Sequence, residues 1–353
     1  MVHNCDITET VNREGAQPMR ALVWTGPRQM EMQDAHVPEP GPGEVVVKVA
    51  HAAICGSELS GYLGHNALRT PPLIMGHEFA GTISEVGEGV DIETSGTVVV
   101  NPLSATGTSR VQQLGLDQLA STRSLLGAHR PGAYAEYVAV PAGSVHQLPE
   151  GVDSARGSLV EPAACGLRIG KLAGDVDREV CFIAGAGPIG LFALQALVLR
   201  GATVYVSDLQ PGRRAMAEAL GGIAIDPSEG DLVQTLHAEV GADSIVVAVD
   251  AVGATPTRQD VIGAVRQLGT VILSGLHEEV GPIPAADVIR REVTLRGAFA
   301  YSPEDFTEAI DLVASRALNL DGFTHHADLS EGDHWFDALV TGVNDHAKII
   351  LEP

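Results

Sequence analysis

Three short motifs contain residue types that could form a catalytic metal site. Cys55 follows an apolar run, His77 and Glu78 come 22 residues later, and Glu161 stands before a proline. Thiolate, imidazole and carboxylate are zinc ligands, and a catalytic zinc keeps one position open for substrate. An alcohol in that position becomes more acidic, which favours hydride transfer from its carbon. Ser57 is the expected acceptor of the hydroxyl proton.

Residues 180–191 form a second pattern, which is typical of dinucleotide binding. They predict a strand, a Gly-x-Gly-x-x-Gly turn and the start of a helix, in that order. The first glycine allows the tight turn, the second lets the backbone approach a pyrophosphate, and the third lets the helix pack on the strand. The helix N-terminus favours the phosphates. The predicted residues are Gly185, Gly187, Pro188, Ile189 and Gly190.

Asp208 ends the next predicted strand, eighteen residues after Gly190. A carboxylate there can accept hydrogen bonds from the adenosine ribose hydroxyls and repels a 2′-phosphate, which favours NAD over NADP. Arg213 and Arg214 follow closely and offer the alternative, since an arginine can hold a phosphate. Arg213 is included in the predicted cofactor site. A role for Asp208 as a strand-end turn residue is a further alternative.

Three apolar residues follow the later strands of the same region. In parallel α/β sheets, ligands bind beyond the carboxyl ends of the strands. Val252, Leu276 and Phe299 are therefore predicted to line the nicotinamide half of the cofactor site, although each could equally belong to the core.

The elements that position these motifs show two different sequence patterns. Between residues 19 and 149, short apolar runs are punctuated by Gly and Pro, which predicts an antiparallel, barrel-like domain. From Val180, strands alternate with helical segments, which predicts a doubly wound parallel sheet. The last apolar run, Lys348–Leu351, predicts a strand that returns to the first domain. The fold class is therefore α/β, and 353 residues suffice for two cores.

Composition excludes several classes of partner. The chain carries 22 Lys and Arg against 45 Asp and Glu, a formal charge of -23, which disfavours nucleic acid and anionic membranes. Four scattered cysteines do not suggest a disulfide framework, so a cytoplasmic location is expected. No apolar window approaches the length of a transmembrane span. The polar residues 1–18 are expected to form a flexible tail without a secretory signal.

Together, these motifs make the sequence resemble the zinc-containing medium-chain dehydrogenase/reductase superfamily, in the style of sorbitol, threonine and galactitol-phosphate dehydrogenases. The resemblance implies a GroES-like β-barrel catalytic domain over residues 19–163 and 303–353, and a Rossmann NAD-binding domain over 164–302. It implies zinc bound by Cys55, His77 and a glutamate. In the polyol branch Glu78 can ligate directly while Glu161 acts through water, and the two can exchange. The resemblance also implies a homodimer or homotetramer formed through an edge strand near residues 293–298.

The sequence departs from the family at three places. Residues 101–131 contain no cysteine, which predicts that the structural zinc of many relatives is missing. Ser60 replaces the histidine that often ends the proton relay, so protons are expected to leave through Ser57, a cofactor ribose hydroxyl and water, with Ser60 kept as a candidate. Structural or surface roles are expected for His51 and His65. Ala300 replaces an arginine of sorbitol dehydrogenases, which argues against sorbitol as the substrate.

The function predicted from the sequence is hydride transfer between NAD and a secondary alcohol or ketone. A polyol, cyclitol or natural-product intermediate is the expected small-molecule substrate. One alternative is an NADPH-dependent biosynthetic carbonyl or enal reductase of the same fold. Another is a non-catalytic relative, which is disfavoured because Cys55, Ser57, His77 and Glu161 are all present.

Overall fold

The computed structural model describes residues 17–342 and 346–353. Residues 1–16 of the predicted tail lie outside the described residues, and Pro18 belongs to the first strand. In chain order the strands are β1 (Pro18–Gly26), β2 (Gln29–His36), β3 (Glu44–Ala53), β4 (Leu73–Ile74), β5 (Glu78–Val86), β6 (Val98–Val100), β7 (Leu103–Ser104), β8 (Ser124–Leu125), β9 (Tyr137–Pro141), β10 (Val145–Gln147), β11 (Val180–Ala184), β12 (Thr203–Ser207), β13 (Ile223–Ile225), β14 (Ile245–Asp250), β15 (Thr270–Leu273), β16 (Thr294–Gly297), β17 (Thr324–Asp328) and β18 (Lys348–Glu352).

The α-helices are α1 (Gly56–Tyr62), α2 (Arg110–Gln113), α3 (Ser154–Gly157), α4 (Val160–Leu172), α5 (Pro188–Leu199), α6 (Pro211–Ala219), α7 (Leu232–Val240), α8 (Thr255–Ala264), α9 (Ala285–Arg290), α10 (Pro303–Ala314) and α11 (Gly332–Thr341). Within the described part of the chain, none of them combines the length and apolar character needed to cross a bilayer.

The chain forms two compact units. The first extends to Glu161 and includes Ile310–Ala314 and Leu320–Pro353. Its main sheet has the order β10-β6-β5-β3-β18-β17, with β9 also paired to β3, and a smaller sheet has the order β2-β1-β4. β18 pairs with β3, as the last apolar run predicts. Each large buried side chain contributes about 1.5–3 kcal/mol. The largest in this core are Trp24, Tyr62, Phe79, Tyr134 and Phe336.

The second unit comprises Pro162–Ala309 and Ser315–Asn319. Its six-stranded sheet has the order β13-β12-β11-β14-β15-β16, and every neighbouring pair is parallel. This is the strand order of a Rossmann sheet, which confirms the predicted fold class. The domain limits predicted from the sequence stay a prediction.

Among the elements that the sequence patterns did not identify, two show why they were missed. β2 reads QMEMQDAH and, among the described strands, pairs with β1 alone, so it is a polar edge strand that needs little apolar alternation. α8 contains Pro256 and Gly263, which are poor helix formers. Its buried residues Val261 and Ile262 belong to the core of the second unit, and this packing overrides the weak local propensity.

The start of α10 depends on the buried carboxylate of Asp305. Its Oδ2 accepts a hydrogen bond from Ser302 N (2.9 Å), while Asp305 N donates to Ser302 Oγ (3.2 Å). Lys171 Nζ lies 2.8 Å from Oδ1. Burial alone raises the pKa of Asp305, but the bonds from Lys171 and Ser302 outweigh it and the pKa is lowered. The ionised carboxylate therefore stabilises the folded unit.

Replacing Asp305 with alanine should lower the free energy of unfolding at neutral pH by about 1–3 kcal/mol, because buried donors lose their partner. The contribution is complete above the unfolded pKa of about 3.9 and disappears as the pH falls through the lower folded value. Urea titrations followed by circular dichroism at several pH values measure it. Asp311→Ala, on an exposed position of the same helix, is the control and should cost less than about 0.5 kcal/mol. Equal losses for the two variants would contradict the assignment.

Candidate functional site

Cys55, His77 and Glu78 lie together in the first unit. Cys55 stands between β3 and α1, and Glu78 begins β5 immediately after His77. β3 and β5 are antiparallel with Ala53 opposite Glu78, so the end of one strand meets the start of the other. The three ligand atoms lie within 4.8 Å of one another. They are close enough to share one ion, and their types suit zinc.

The carboxylate of Glu58 is at the centre of a buried polar network beside these residues. Its Oε1 accepts a hydrogen bond from Gly76 N (2.9 Å) and lies 2.7 Å from His77 Nδ1. Its Oε2 accepts from Cys55 N (3.1 Å) and from the hydroxyl of Tyr134. Holding Nδ1 in this way fixes the orientation and tautomer of the imidazole, whose other nitrogen stays available to a metal.

The charges of this network reinforce one another. Burial alone raises the pKa of Glu58, but the charge and hydrogen bond of His77, together with Arg69, lower it to about 2. Burial alone lowers the pKa of His77, but Glu58 and Cys55 raise it well above its ordinary value. Glu58 is therefore ionised at neutral pH, and a metal that binds His77 must displace any proton on its second nitrogen.

Glu78 faces the buried ammonium of Lys348. Lys348 Nζ lies 2.8 Å from Glu78 Oε1 and 2.6 Å from Oε2, and it donates to Ile54 O at 3.0 Å. Oε2 is close to Nζ but lacks hydrogen-bond geometry, so this buried oxygen keeps an unused lone pair. A cation shared with Cys55 and His77 would satisfy it. The donor set and this oxygen therefore fit a zinc ion.

Glu161 lies in the first turn of α4 and is buried. It is not among the ligand atoms that cluster within 4.8 Å, but its charge acts on Lys348. Glu78 is thus the glutamate that the structure brings next to Cys55 and His77. The water-mediated role of Glu161 stays a prediction.

Ser57 lies against the thiol, and a buried arginine holds it there. Ser57 Oγ donates to Cys55 Sγ at 3.4 Å. Arg69, which is 4% exposed, donates to Ser57 O (3.2 Å), to Ser57 Oγ (3.4 Å) and to Gly127 O (3.2 Å). Ser60 is half-buried one turn further along α1. The structure therefore brings Ser57 to the candidate metal site and adds Arg69 as its support.

The cysteine-free segment 101–131 is ordered by packing and hydrogen bonds. Arg130 forms an ion pair with Glu44 at 2.8 Å. Gly127 in this segment and Gly132 just after it approach the backbone of Gly76, where a Cβ on Gly127 would lie 2.8 Å from Gly76 N and one on Gly132 would lie 2.2 Å from Gly76 O. Gly76 itself has φ +102°, and a Cβ there would lie 2.8–2.9 Å from neighbouring backbone nitrogens. Only glycine fits this position immediately before His77.

In the second unit, the glycine-rich turn connects β11 to α5. A Cβ on Gly190 would lie 1.9 Å from Gly185 O, so helix and strand touch there. A Cβ on Gly187 would meet nothing within 4 Å, which leaves open space beside the backbone. Pro188 and Ile189 form the first turn of α5, whose N-terminus has no side-chain cap. This space and a helix N-terminus without a side-chain cap fit a pyrophosphate.

Asp208 follows β12 and connects the turn to the neighbouring strand. Its Oδ2 accepts a hydrogen bond from Ala186 N (2.9 Å) and its Oδ1 from Gln210 N (2.9 Å), so it also has the turn role considered above. Arg214 binds Asp208 O at 2.8 Å and pairs with Asp226 at 2.6 Å. Arg213 Nη1 lies 3.9 Å from Asp208 Oδ2.

The three apolar residues predicted near the nicotinamide all lie beyond the carboxyl ends of parallel strands. Val252 follows β14 and contacts Gly185, where its Cγ2 lies 2.5 Å from the position of an added Cβ. Leu276 and Phe299 follow β15 and β16 and are 75% and 42% exposed, so the core alternative is wrong for these two. Their contact with a cofactor stays a prediction. Asp250 shapes the turn before Val252 by accepting its N–H at 3.0 Å.

Sequence reasoning missed several residues of these sites. Glu58 and Lys348 carried signals, because Glu58 lies three residues after Cys55 and Lys348 places a charge at the start of an apolar strand. Tyr134 and Arg69 had no local signal. Their roles depend on contacts with residues that are distant in the sequence.

Comparison with known proteins identifies the family. Residues 41–150 match the alcohol dehydrogenase GroES-like domain, and residues 188–315 match the zinc-binding dehydrogenase domain. The chain is 33% identical to (R,R)-butanediol dehydrogenase of Bacillus subtilis over 299 residues, which are 80% of this chain and 85% of that protein. The chain belongs to the zinc-containing medium-chain dehydrogenase/reductase superfamily. The GroES-like and Rossmann folds predicted from the sequence are confirmed.

Two further relatives of this dehydrogenase superfamily agree over nearly the whole length. Sorbitol dehydrogenase of Halalkalibacterium halodurans is 31% identical over 347 residues, 95% of this chain and 99% of that protein. A zinc-binding dehydrogenase from Sinorhizobium meliloti 1021, solved bound to NADP, is 30% identical with a TM-score of 0.88, covering 96% of this chain and all of that one. The protein is thus an oxidoreductase of the zinc-binding, nicotinamide-dependent type.

Glu58→Gln should weaken zinc binding by roughly 10- to 100-fold, because the amide cannot replace both carboxylate oxygens around His77. Competition with a chromogenic chelator measures the affinity, and near-ultraviolet circular dichroism checks that the fold persists. Glu85→Gln, exposed on β5, is the matched control. An unchanged zinc affinity in folded Glu58→Gln would show that Glu58 does not position the imidazole.

Proposed function

We propose that this dehydrogenase interconverts a secondary alcohol and its ketone, using NAD and one catalytic zinc. The observation that carries the proposal is the convergence of Cys55, His77 and Glu78 within 4.8 Å, backed by the buried carboxylate of Glu58. Oε2 of Glu78 in this cluster is buried without a hydrogen-bond partner, and such an oxygen is costly unless it binds a cation. Loss of Cys55, Ser57, His77 or Glu161 would instead have favoured a non-catalytic relative.

The proposed substrate is a small molecule with neighbouring hydroxyl groups, namely a polyol, a cyclitol or a related natural-product intermediate. Relatives named for butanediol and for sorbitol support this class. Ala300, where sorbitol dehydrogenases carry an arginine, disfavours sorbitol itself. Ala300 has φ +46°, so the backbone before the buried Tyr301 adopts the left-handed region.

In the proposed mechanism, the chain itself supplies ligands, orientation and a proton path. Cys55, His77 and Glu78 would hold zinc, which when bound acts as a Lewis acid on the alcohol or carbonyl oxygen. Ser57 accepts the hydroxyl proton and passes on its own, because a hydroxyl can donate and accept at once. The guanidinium of Arg69 fixes Ser57 Oγ and disfavours a lasting positive charge on it. With Ser60 in the place of a histidine, the onward path ends at hydroxyl groups and water.

Cys55→Ser tests this function. The variant should lose the zinc bound at this site and should oxidise 2,3-butanediol and a panel of polyols at least about 1000-fold more slowly, since a Lewis acid contributes several kcal/mol. Zinc per chain is measured by elemental mass spectrometry and turnover by NADH absorbance. Cys165→Ser is the matched thiol control and should retain both. Near wild-type turnover by Cys55→Ser would refute the catalytic zinc.

The proposed cofactor is NAD rather than NADP. Asp208 presents a carboxylate at the end of β12, and Arg214 is already engaged by Asp226 and by two carbonyl groups. These contacts leave Arg213 as the one nearby side chain considered above that could favour a 2′-phosphate. The NADP-bound relative shows that this fold also admits the phosphorylated cofactor, so the preference must come from these side chains.

Asp208→Asn should weaken NADH binding by about tenfold and narrow or reverse the preference over NADPH, because it removes a charge-assisted hydrogen bond and a repulsion. Fluorescence titrations with both cofactors give the two dissociation constants. Asp243→Asn, at an exposed position of the same unit, should change neither. Tighter binding of NADPH than of NADH by the wild-type protein would contradict the proposal and favour the reductase alternative.

We further propose a cytoplasmic homodimer or homotetramer in which β16, at the edge of its sheet, pairs with its copy. We propose no structural zinc in segment 101–131, whose order comes from the contacts described above. Light scattering of the purified protein tests the assembly state.

A further inference from the structure

A second group of metal-ligating side chains lies on the main sheet of the first unit. Antiparallel pairing of β18 with β3 places Leu351 opposite Ala52, so the next pair is Glu352 with His51. Parallel pairing of β17 with β18 places His326 opposite Ile350, two residues before Glu352. Because side chains alternate between the faces of a sheet, His51, Glu352 and His326 emerge on the same face.

The three side chains converge on one point. His326 Nδ1 lies 2.8 Å from Glu352 Oε1, and His51 Nε2 lies 3.4 Å from the same oxygen. One ligand atom from each residue lies within 4.8 Å of the other two. Three adjacent strands supply these atoms, so the sheet backbone fixes their spacing.

The orientation of His51 is set by a hydrogen bond with Ser154. Its Nδ1 lies 2.8 Å from Ser154 Oγ. Ser154 begins α3, whose first turn is held by Asp153 Oδ1 accepting from Arg156 N at 2.8 Å. Arg156 is buried and donates to Val313 O at 3.2 Å. A proton on Nδ1 directed at Ser154 leaves the Nε2 lone pair facing Glu352, which is the arrangement of a metal-binding histidine with its supporting hydrogen bond.

We propose that His51, His326 and Glu352 form a second divalent-metal site, for zinc or another late first-row ion. Two imidazoles and a carboxylate suit such ions, and they leave further positions to water. The side chains of Glu352 and His326 are 48% and 42% exposed, so an ion can enter from solvent. The sequence predicted a structural or surface role for His51, and metal binding is the specific role proposed for it here.

The bound ion would join β3, β18 and β17. β3 leads directly to Cys55, and β18 begins with Lys348, the partner of Glu78. The second ion would therefore fasten together the strands that carry parts of the first site. This role does not depend on the proposed reaction, because it requires neither substrate nor cofactor.

Cobalt titration of the metal-free protein tests the site. Wild type should bind two Co²⁺ per chain, and one of them should lack thiolate charge-transfer absorption. His326→Ala should lose this second equivalent and keep the first. Cys55→Ser should show the reverse loss, which separates failure of this site from failure of the catalytic one.

Two variants sharpen the test. His325→Ala is the matched control, because His325 is adjacent on β17 and stacks on His346 at 4.8 Å between ring centroids; it should bind like wild type. Ser154→Ala should bind the second ion roughly 10- to 100-fold more weakly. An unchanged affinity there would overturn His51 Nε2 as a ligand. Equal stoichiometry and affinity in His326→Ala and wild type would overturn the site and leave Glu352 as an ion-pair partner only.

Discussion

The buried carboxylate of Glu58 is the constraint on which the catalytic unit depends. A buried charge is tolerated only when several donors satisfy it. Here the donors come from Cys55, Gly76, His77 and Tyr134, three chain segments that must meet at one point. The same contacts that make the charge tolerable also aim the imidazole at the thiol. Stability and metal binding are thus consequences of one arrangement.

The buried ion pair of Lys348 and Glu78 also links stability to metal binding. Lys348 neutralises Glu78 while leaving one of its oxygens without a hydrogen bond, so the carboxylate is held but not saturated. Removing one partner of such a pair leaves an uncompensated charge, which is more costly than never having had the pair. The last strand, β18, is therefore electrically part of the catalytic metal site, although it supplies no ligand to that site.

The sequence was informative where chemistry is encoded locally. The glycine-rich turn, Cys55, and the adjacent His77 and Glu78 are recognisable because their functions require fixed residue types at short spacing. The partners of these residues were not predictable, since Tyr134 reaches Glu58 across 76 positions and Lys348 reaches Glu78 across 270. Elements such as β2 and α8 were missed because tertiary packing outweighs local preference.

The backbone contact between Gly76 and Gly132 distinguishes substitutions that would disturb the metal ligands from substitutions that would leave them in place. Gly127, inside segment 101–131, and Gly132, just after it, meet the residue before His77 through main-chain atoms, and a Cβ at any of these three positions would clash, so the contact requires glycine. The ligand geometry therefore depends on these glycines rather than on the other side chains of the segment, which can be exchanged where they do not alter this contact. Substrate preference can change among descendants of this chain, or in a laboratory library of its variants, while the catalytic chemistry is retained.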